Sequence, residues 1–283
     1  MWEFSGVREE RSKPIEVQAL VPLLELANRI GHVYGSEDVA LLFYSLVRRE
    51  RPVNIVELGT GLGATAFWMG QAVKENGAGC VWTLDDGSHW QSQEQFRVAV
   101  APLFEVAPFD AFDPEDLSYP TFVQNTIDLL GLSQQVRFLP KPIDVTKEAD
   151  FTPERFGFLD KPIDFLFLDI ARTPDDILDT LALFLPHMAD SASIMMDSAS
   201  TSLTSYLFLE KLIDQLNHSK VPRRFLLSAS EERRRQLVEL VAQRRFTLMH
   251  MIERVQRAQN STAWLRIEPN DYVPHPQTLM KWV

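Results

Sequence analysis

The sequence predicts an α/β fold, a mostly parallel sheet with helices on both faces, and three observations carry that reading. Short apolar runs alternate with segments of helical periodicity from residue 36 onward. One run, Phe165–Leu168, holds no polar residue, as suits a strand buried on both faces. A glycine-rich turn, Gly59-Thr60-Gly61-Leu62-Gly63, separates the first apolar run from the helical segment that follows it.

The elements follow in order. Residues 1–35 form an N-terminal extension with one amphipathic helix, Val17–Ile30. Ser36 is the expected N-cap of the next helix, with Glu37 and Asp38 in its first turn, and Pro52 ends it. Val53–Leu58 reads as a strand, Ala64–Val73 as a helix, and Cys80–Leu84 as a strand. Gly87–Pro120 reads as an inserted lid: a helix near Glu94–Phe104 amid an irregular, proline-rich stretch. Phe122–Leu132 (helix), Val136–Leu139 (strand), Phe165–Leu168 (strand), Asp176–Leu185 (helix, capped by Thr173), Ile194–Met196 (strand) and Leu203–Leu216 (helix) continue the alternation. Ser228-Ala229-Ser230-Glu231 has the capping-box pattern for a helix over Glu231–Gln243. Phe246–Glu253 and Thr262–Ile267 then lack a crossover helix, so they should pair antiparallel through the polar stretch Arg254–Ser261. The α/β domain thus runs over 36–268, and 269–283 form a tail.

Composition narrows the classes of function. The formal net charge is −11, which argues against general binding to nucleic acid. The one basic cluster, Arg233-Arg234-Arg235 with Arg244-Arg245, reads as a solvated face. The single cysteine, Cys80, forms no intrachain disulfide and reads as a buried thiol, which fits a reducing cytoplasm. The opening Met1-Trp2-Glu3-Phe4 does not resemble a signal peptide, and no apolar run is long enough to span a membrane. A cytoplasmic protein with a small-molecule partner is expected, as a homodimer or with a partner subunit.

The glycine turn carries the chemistry. Glycines suit a turn with unusual backbone angles and a ligand lying against the main chain. Asp85 ends the next strand, where a carboxylate reaches the ribose of a bound nucleoside. Gly59-x-Gly61-x-x-Ala64 also satisfies a dinucleotide fingerprint. Three features tilt the choice away from a dinucleotide. Glu57, two residues before the first glycine, would repel a pyrophosphate and suits a cationic ligand. There is no second glycine fingerprint and no obvious catalytic domain, and the chain closes with a strand hairpin rather than another pair of βαβ units.

Glu57-Leu58-Gly59-Thr60-Gly61-Leu62-Gly63 resembles the first motif of class I methyltransferases that use S-adenosylmethionine (SAM). The resemblance continues through Thr83-Leu84-Asp85, Ile163–Asp169 and Ser193–Asp197, over roughly 36–268, and is nearest to small-molecule O-methyltransferases of the catechol and caffeoyl-CoA kind. It implies a Rossmann-like seven-stranded sheet, mostly parallel, with a C-terminal antiparallel hairpin. It implies a SAM site made of Glu57, Gly59, Thr60, Gly61, Asp85, Asp86, Ile143, Asp144 and Asp169, with Ile143-Asp144 flanking the adenine.

The catalytic candidates are Asp169, Arg172 and His89. Asp169 and Asp197 end the fourth and fifth strands and would make an oxygen pair for Mg2+. Two departures from the relatives weigh against a metal: Ser198 stands where metal-dependent enzymes carry Asn, and Arg172 stands where related enzymes often carry His. Arginine cannot serve as a base, and its fixed charge suits an anionic acceptor. His187, closing a helix, reads as structural, with an imidazolium favoured by the helix dipole; His250 reads as core or edge. Trp82, Trp90, Phe104, Phe109 and Phe112 read as core packing, or as the wall of a pocket. The same departures support another reading: a methyltransferase-fold protein that binds SAM but catalyses a different reaction, such as cyclisation, or serves as a partner subunit.

Overall fold

The computed structural model describes residues 14–30, 37–113, 117–142, 144–170, 173–197, 203–227, 229–252 and 261–270. Ser36, Ile143, Arg172, Ser198, Ser228, the 254–260 connector and the tail beyond Asn270 lie outside them. Seven strands form one sheet in the order β3-β2-β1-β4-β5-β7-β6. They are β1 (Asn54–Leu58), β2 (Cys80–Leu84), β3 (Val136–Leu139), β4 (Ile163–Leu168), β5 (Met188–Asp197), β6 (Arg244–Ile252) and β7 (Ser261–Pro269). The registers of β2 with β3, β1 with β4 and β4 with β5 are parallel. β7 runs antiparallel to both β5 and β6, as the missing crossover helix requires. Contacts group the chain into two compact units, Met1–Val53 with Thr60–Pro140, and Asn54–Gly59 with Lys141–Val283.

In the first unit, α1 (Val17–Ile30) and α2 (Glu37–Glu50) pack on α3 (Ala64–Asn76). α1 buries Leu23, Leu26, Ala27 and Ile30, one helical face. Tyr44 of α2 meets Trp68 of α3 edge-on at 5.8 Å. Its hydroxyl donates to Glu75 Oε2 at 2.7 Å, and the Arg48 Nε lies 3.2 Å from the same oxygen. Glu75 Oε1 accepts from Gln71 at 3.0 Å, so this buried carboxylate is compensated on both oxygens.

The stretch expected as an irregular lid is ordered over its described part. It holds α4 (Gln93–Val100) and two short 3-10 turns at Ala101–Leu103 and Phe109–Ala111. Phe96, Leu103 and Phe109 are fully buried there. Phe96 meets Trp90 at 5.4 Å and Phe122 at 5.7 Å, and Phe112 meets Phe104 at 6.4 Å. Moving the whole segment as one piece would expose several of these rings, each worth roughly 1.5–3 kcal/mol. The next helix, α5 (Tyr119–Leu129), starts earlier than the sequence suggested. Ser118 caps it, and Pro120 sits in the first turn, where its missing N–H costs nothing.

In the second unit, β1 is buried along its whole length. Asn54 opens it: its side-chain amide donates to the carbonyls of Phe158 (2.8 Å) and Lys161 (3.0 Å), and its backbone N–H to Asp164 Oδ2 (2.8 Å). These bonds tie the turn before β4 to the start of β1. α6 (Pro174–Phe184) begins in a full capping box between Thr173 and Asp176. α7 (Leu203–Asn217) follows β5, and a short α8 (Arg223–Leu227), absent from the sequence reading, precedes α9 (Glu231–Gln243). The α9 cap is Ser230, whose hydroxyl accepts from Arg233 N, rather than Ser228.

Two electrostatic readings are corrected here. Arg233 is 7% exposed and not part of a solvated face, while Arg234 and Arg235 do pair on the surface with Glu231 and Glu232. His187 is neutral rather than an imidazolium at the helix end: burial, aided by the Arg233 guanidinium, pushes its pKa down to about 4. Cys80 is half-buried, and burial raises its thiol pKa.

Candidate functional site

The strand order reverses between β1 and β4, and ligands of open α/β sheets bind outside the carboxyl ends of strands at such a switch point. Leu58 and Leu168 are paired there, and Asp169 N donates to the Leu58 carbonyl at 2.9 Å. Gly59 follows with φ +96°, a conformation that L side chains rarely adopt. A Cβ on Gly59 would stand 3.2 Å from Asp169 Cβ and 3.3 Å from Ile170 Cγ2. The glycine is therefore required both for its backbone angle and for this close approach. Asp169 itself is half-buried, and Ile170 is exposed. Glu57, the penultimate residue of β1, is fully buried.

The other half of the turn belongs to the first unit. Gly61 N donates to Asp85 Oδ2 at 3.0 Å, and Gly87 N to Asp85 Oδ1 at 2.7 Å. His89 Nδ1 lies 3.5 Å from Oδ1, with its ring packed against Trp90 at 4.8 Å. Burial opposes ionisation of Asp85, but the His89 imidazole and the two amides outweigh it and hold the carboxyl below its ordinary value. A carboxylate has about four lone-pair directions, so capacity remains for a ligand hydroxyl. Thr60 and Thr83, both buried, share a hydrogen bond of 2.5 Å between hydroxyls. Thr83 was not singled out from the sequence; a threonine in an otherwise apolar strand beside the glycine turn was the available signal.

The remaining candidates differ in setting. Asp86 is exposed, its Oδ1 accepts from Ser88 N at 2.9 Å, and it borders a cavity of about 240 Å³ lined by Gly87, Trp90, Gln93, Phe96 and Tyr119. Trp90 is thus both packed in the aromatic cluster and part of a pocket wall. Asp144 is exposed and turned onto its own loop: the Thr146 hydroxyl (2.6 Å), Lys147 (2.9 Å) and the Thr146 amide hold its carboxyl down to about 2. His250, 8% exposed on its side chain, lies 3.4 Å from Glu210, in keeping with a place at the core or edge. Asp169 and Asp197 follow the paired residues Leu168 and Met196 at neighbouring strand ends. Among the described residues, no cluster of three or more His, Cys, Asp or Glu is arranged to hold a metal ion.

The chain is therefore an open α/β protein with a glycine turn at the switch point of its sheet. In the second unit Gly59 leaves the main chain bare at the switch point and Glu57 is buried two residues before it; in the first unit the Asp85 carboxyl is held below its ordinary value. The comparisons agree: a model of the methyltransferase domain matches residues 56–199, and the chain belongs to that family. Its activity at this level is SAM-dependent methylation, with SAM as methyl donor. No curated protein matches the chain. It is similar in structure to an O-methyltransferase from Bacillus cereus in complex with S-adenosylhomocysteine, with 16% identity over 92% of this chain and 94% of that one and a TM-score of 0.48. It is also similar to the Streptomyces achromogenes O-methyltransferase TomG of tomaymycin synthesis, in complex with SAM, at 15% identity over 91% and 92% with a TM-score of 0.45. A Podospora anserina methyltransferase bound to S-adenosylhomocysteine is similar at 11% identity over 96% and 100%, with a TM-score of 0.48. No helix among the described residues is long and apolar enough to cross a membrane.

Proposed function

We propose that the chain transfers the methyl group of SAM to an oxygen of a small acceptor that carries an anionic group, without a divalent metal. The observation that carries the cofactor half is Asp85, ionised and tied to the glycine turn through Gly61. SAM supplies an activated methyl: the acceptor oxygen bonds to the methyl carbon as the sulfur–carbon bond breaks, which releases S-adenosylhomocysteine. Glu57 faces a positive charge better than a phosphate, and Asp85 holds ribose hydroxyls. In this reading Asp169, half-buried just after β4, orients the acceptor hydroxyl and takes its proton. Arg172 begins the loop three residues later in the sequence, and its planar fork suits a carboxylate or another acidic oxygen. The oxygen preference rests on the motif resemblance set out above.

The test is turnover of hydroxylated aromatic acids and their uncharged analogues with SAM, read as S-adenosylhomocysteine and methylated product. The acids should react, chelators should leave the rate unchanged, and Asp169→Asn should lower kcat more than SAM affinity. Arg172→Ala should mainly raise the acceptor KM. Activity lost to EDTA and restored by Mg2+ refutes the metal-free mechanism. SAM binding without release of S-adenosylhomocysteine on any acceptor favours the reading in which this fold performs another reaction.

A further inference from the structure

A second cavity, about 310 Å³, lies in the second unit, walled by α6, α8, the start of α9 and the loop at 145–148. It stands apart from the glycine turn. Its polar corner is made by Arg233, which bonds Leu183 and His187 just before β5 begins at Met188, whereas Gly59 and Asp169 follow the last residues of β1 and β4. The cavity is thus at the amino ends of the parallel strands, and the cofactor turn at their carboxyl ends.

Arg233 is the group to explain. Its Nη1 donates to His187 Nε2 at 3.1 Å and its Nη2 to the Leu183 carbonyl. His187 is neutral, so accepting at Nε2 places its proton on Nδ1. Among the described residues, the carboxylate near Arg233 is Glu148, 3.9 Å from Nε and beyond hydrogen-bond reach. Two of the five N–H groups of the guanidinium are therefore bonded. A guanidinium this buried, whose one nearby carboxylate among the described residues pairs with it only at 3.9 Å, is costly to keep. The other cation lining the cavity is paired with two carboxylates: Arg224 donates to both oxygens of Asp179 at 2.8 and 2.7 Å and lies 3.0 Å from Asp175. Asp179 is neutralised by the same contacts. Leu183, Phe225 and Leu227 give the cavity an apolar side.

We propose that this cavity binds a small monocarboxylate with an apolar body, its carboxylate on Arg233 and its body against Leu183, Phe225 and Leu227. The ligand supplies the contact that Glu148 does not make, and Glu148, a third exposed, turns to solvent. The site is separate from the SAM site, so SAM affinity serves as an independent control of the fold.

Benzoate and its neutral analogue benzamide are the probes, titrated into the full chain by ligand-observed NMR, with SAM binding measured in parallel. Benzoate should bind at least roughly tenfold tighter than benzamide, the margin of a charge-assisted pair. Arg233→Gln should erase that margin. Ala229→Trp, which fills the cavity from another of its wall residues, should block both probes, and it keeps the proposal falsifiable if Arg233→Gln fails to fold. Glu148→Gln should tighten benzoate by removing the competing charge. Equal binding of the two probes, no benzoate binding at millimolar concentration, or unchanged binding in Ala229→Trp would overturn the proposal.

Discussion

Asp85→Asn tests the cofactor site most directly. The carboxylate accepts from Gly61 N at 3.0 Å and Gly87 N at 2.7 Å while its side chain is 10% exposed. Replacing it with alanine would strand two amide donors and loosen the glycine turn, so a loss of binding in that variant would be ambiguous. Asparagine has the same shape, keeps one acceptor oxygen, and turns an N–H2 toward the second amide. One backbone-to-side-chain bond is lost, a cost of about 1–1.5 kcal/mol in stability. A charged acceptor for the ribose hydroxyls is lost as well, about 1.5–3 kcal/mol, which corresponds to roughly a tenfold to hundredfold rise in the Kd for SAM. The folded carboxyl sits below its ordinary value, so its contribution is fully present above the unfolded pKa of about 3.9 and is lost as pH falls through the folded pKa. At neutral pH the whole effect should appear. Calorimetric titration with SAM, beside a thermal melt, measures both parts. Unchanged SAM affinity in a folded Asp85→Asn protein would refute the ribose assignment.

His187 has its folded pKa depressed to about 4, so its stabilising contribution is complete above the unfolded value near 6.5 and is lost as pH falls from there toward 4. The loss should amount to at most about 3 kcal/mol in denaturant melts, and His187→Gln should flatten that slope; an equal slope in the variant would show that other groups set it. Gly59→Ala should cost about 1–3 kcal/mol in stability, from its φ of +96° and the crowding at Asp169, and should weaken SAM. A variant that melts with the parent protein would show that the turn relaxes. SAM should raise the melting temperature while NAD leaves it unchanged, and a shift with NAD alone would reassign the turn to a dinucleotide.

Most of the fold was legible because its signals are local. α1, β2, β3 and α9 fall where apolar period and breakers put them, and the antiparallel ending follows from the missing crossover. The glycine turn was legible for the same reason: a demand on φ at Gly59 is met by one residue type in one place. The differences arise where a residue has two uses. Pro120 reads as a breaker but opens α5, because the first turn of a helix has spare N–H groups. Ser228 and Ser230 both fit a cap, and only the backbone chooses. The aromatic residues of 87–113 carry no strong period, so their joint burial depends on partners such as Phe122 that the order of residues does not announce.

The triple arginine shows how much more could have been read. Charge counting treats Arg233, Arg234 and Arg235 alike, and an acidic helix start makes a solvated face the natural reading. Helical phase separates them. The buried residues of α9 are Arg233, Leu237 and Val241, four apart, so they share one stripe, while Arg234 and Arg235 point elsewhere. An arginine at the head of an apolar stripe must bury its charge or turn away. Here it is buried, with a neutral imidazole, a carbonyl and a cavity as its surroundings and the Glu148 carboxylate 3.9 Å away, beyond hydrogen-bond reach. Neutral acceptors satisfy N–H groups but do not balance a charge. The same phase argument that should have flagged Arg233 therefore also says what the cavity lacks: a negative oxygen within hydrogen-bond reach of the guanidinium.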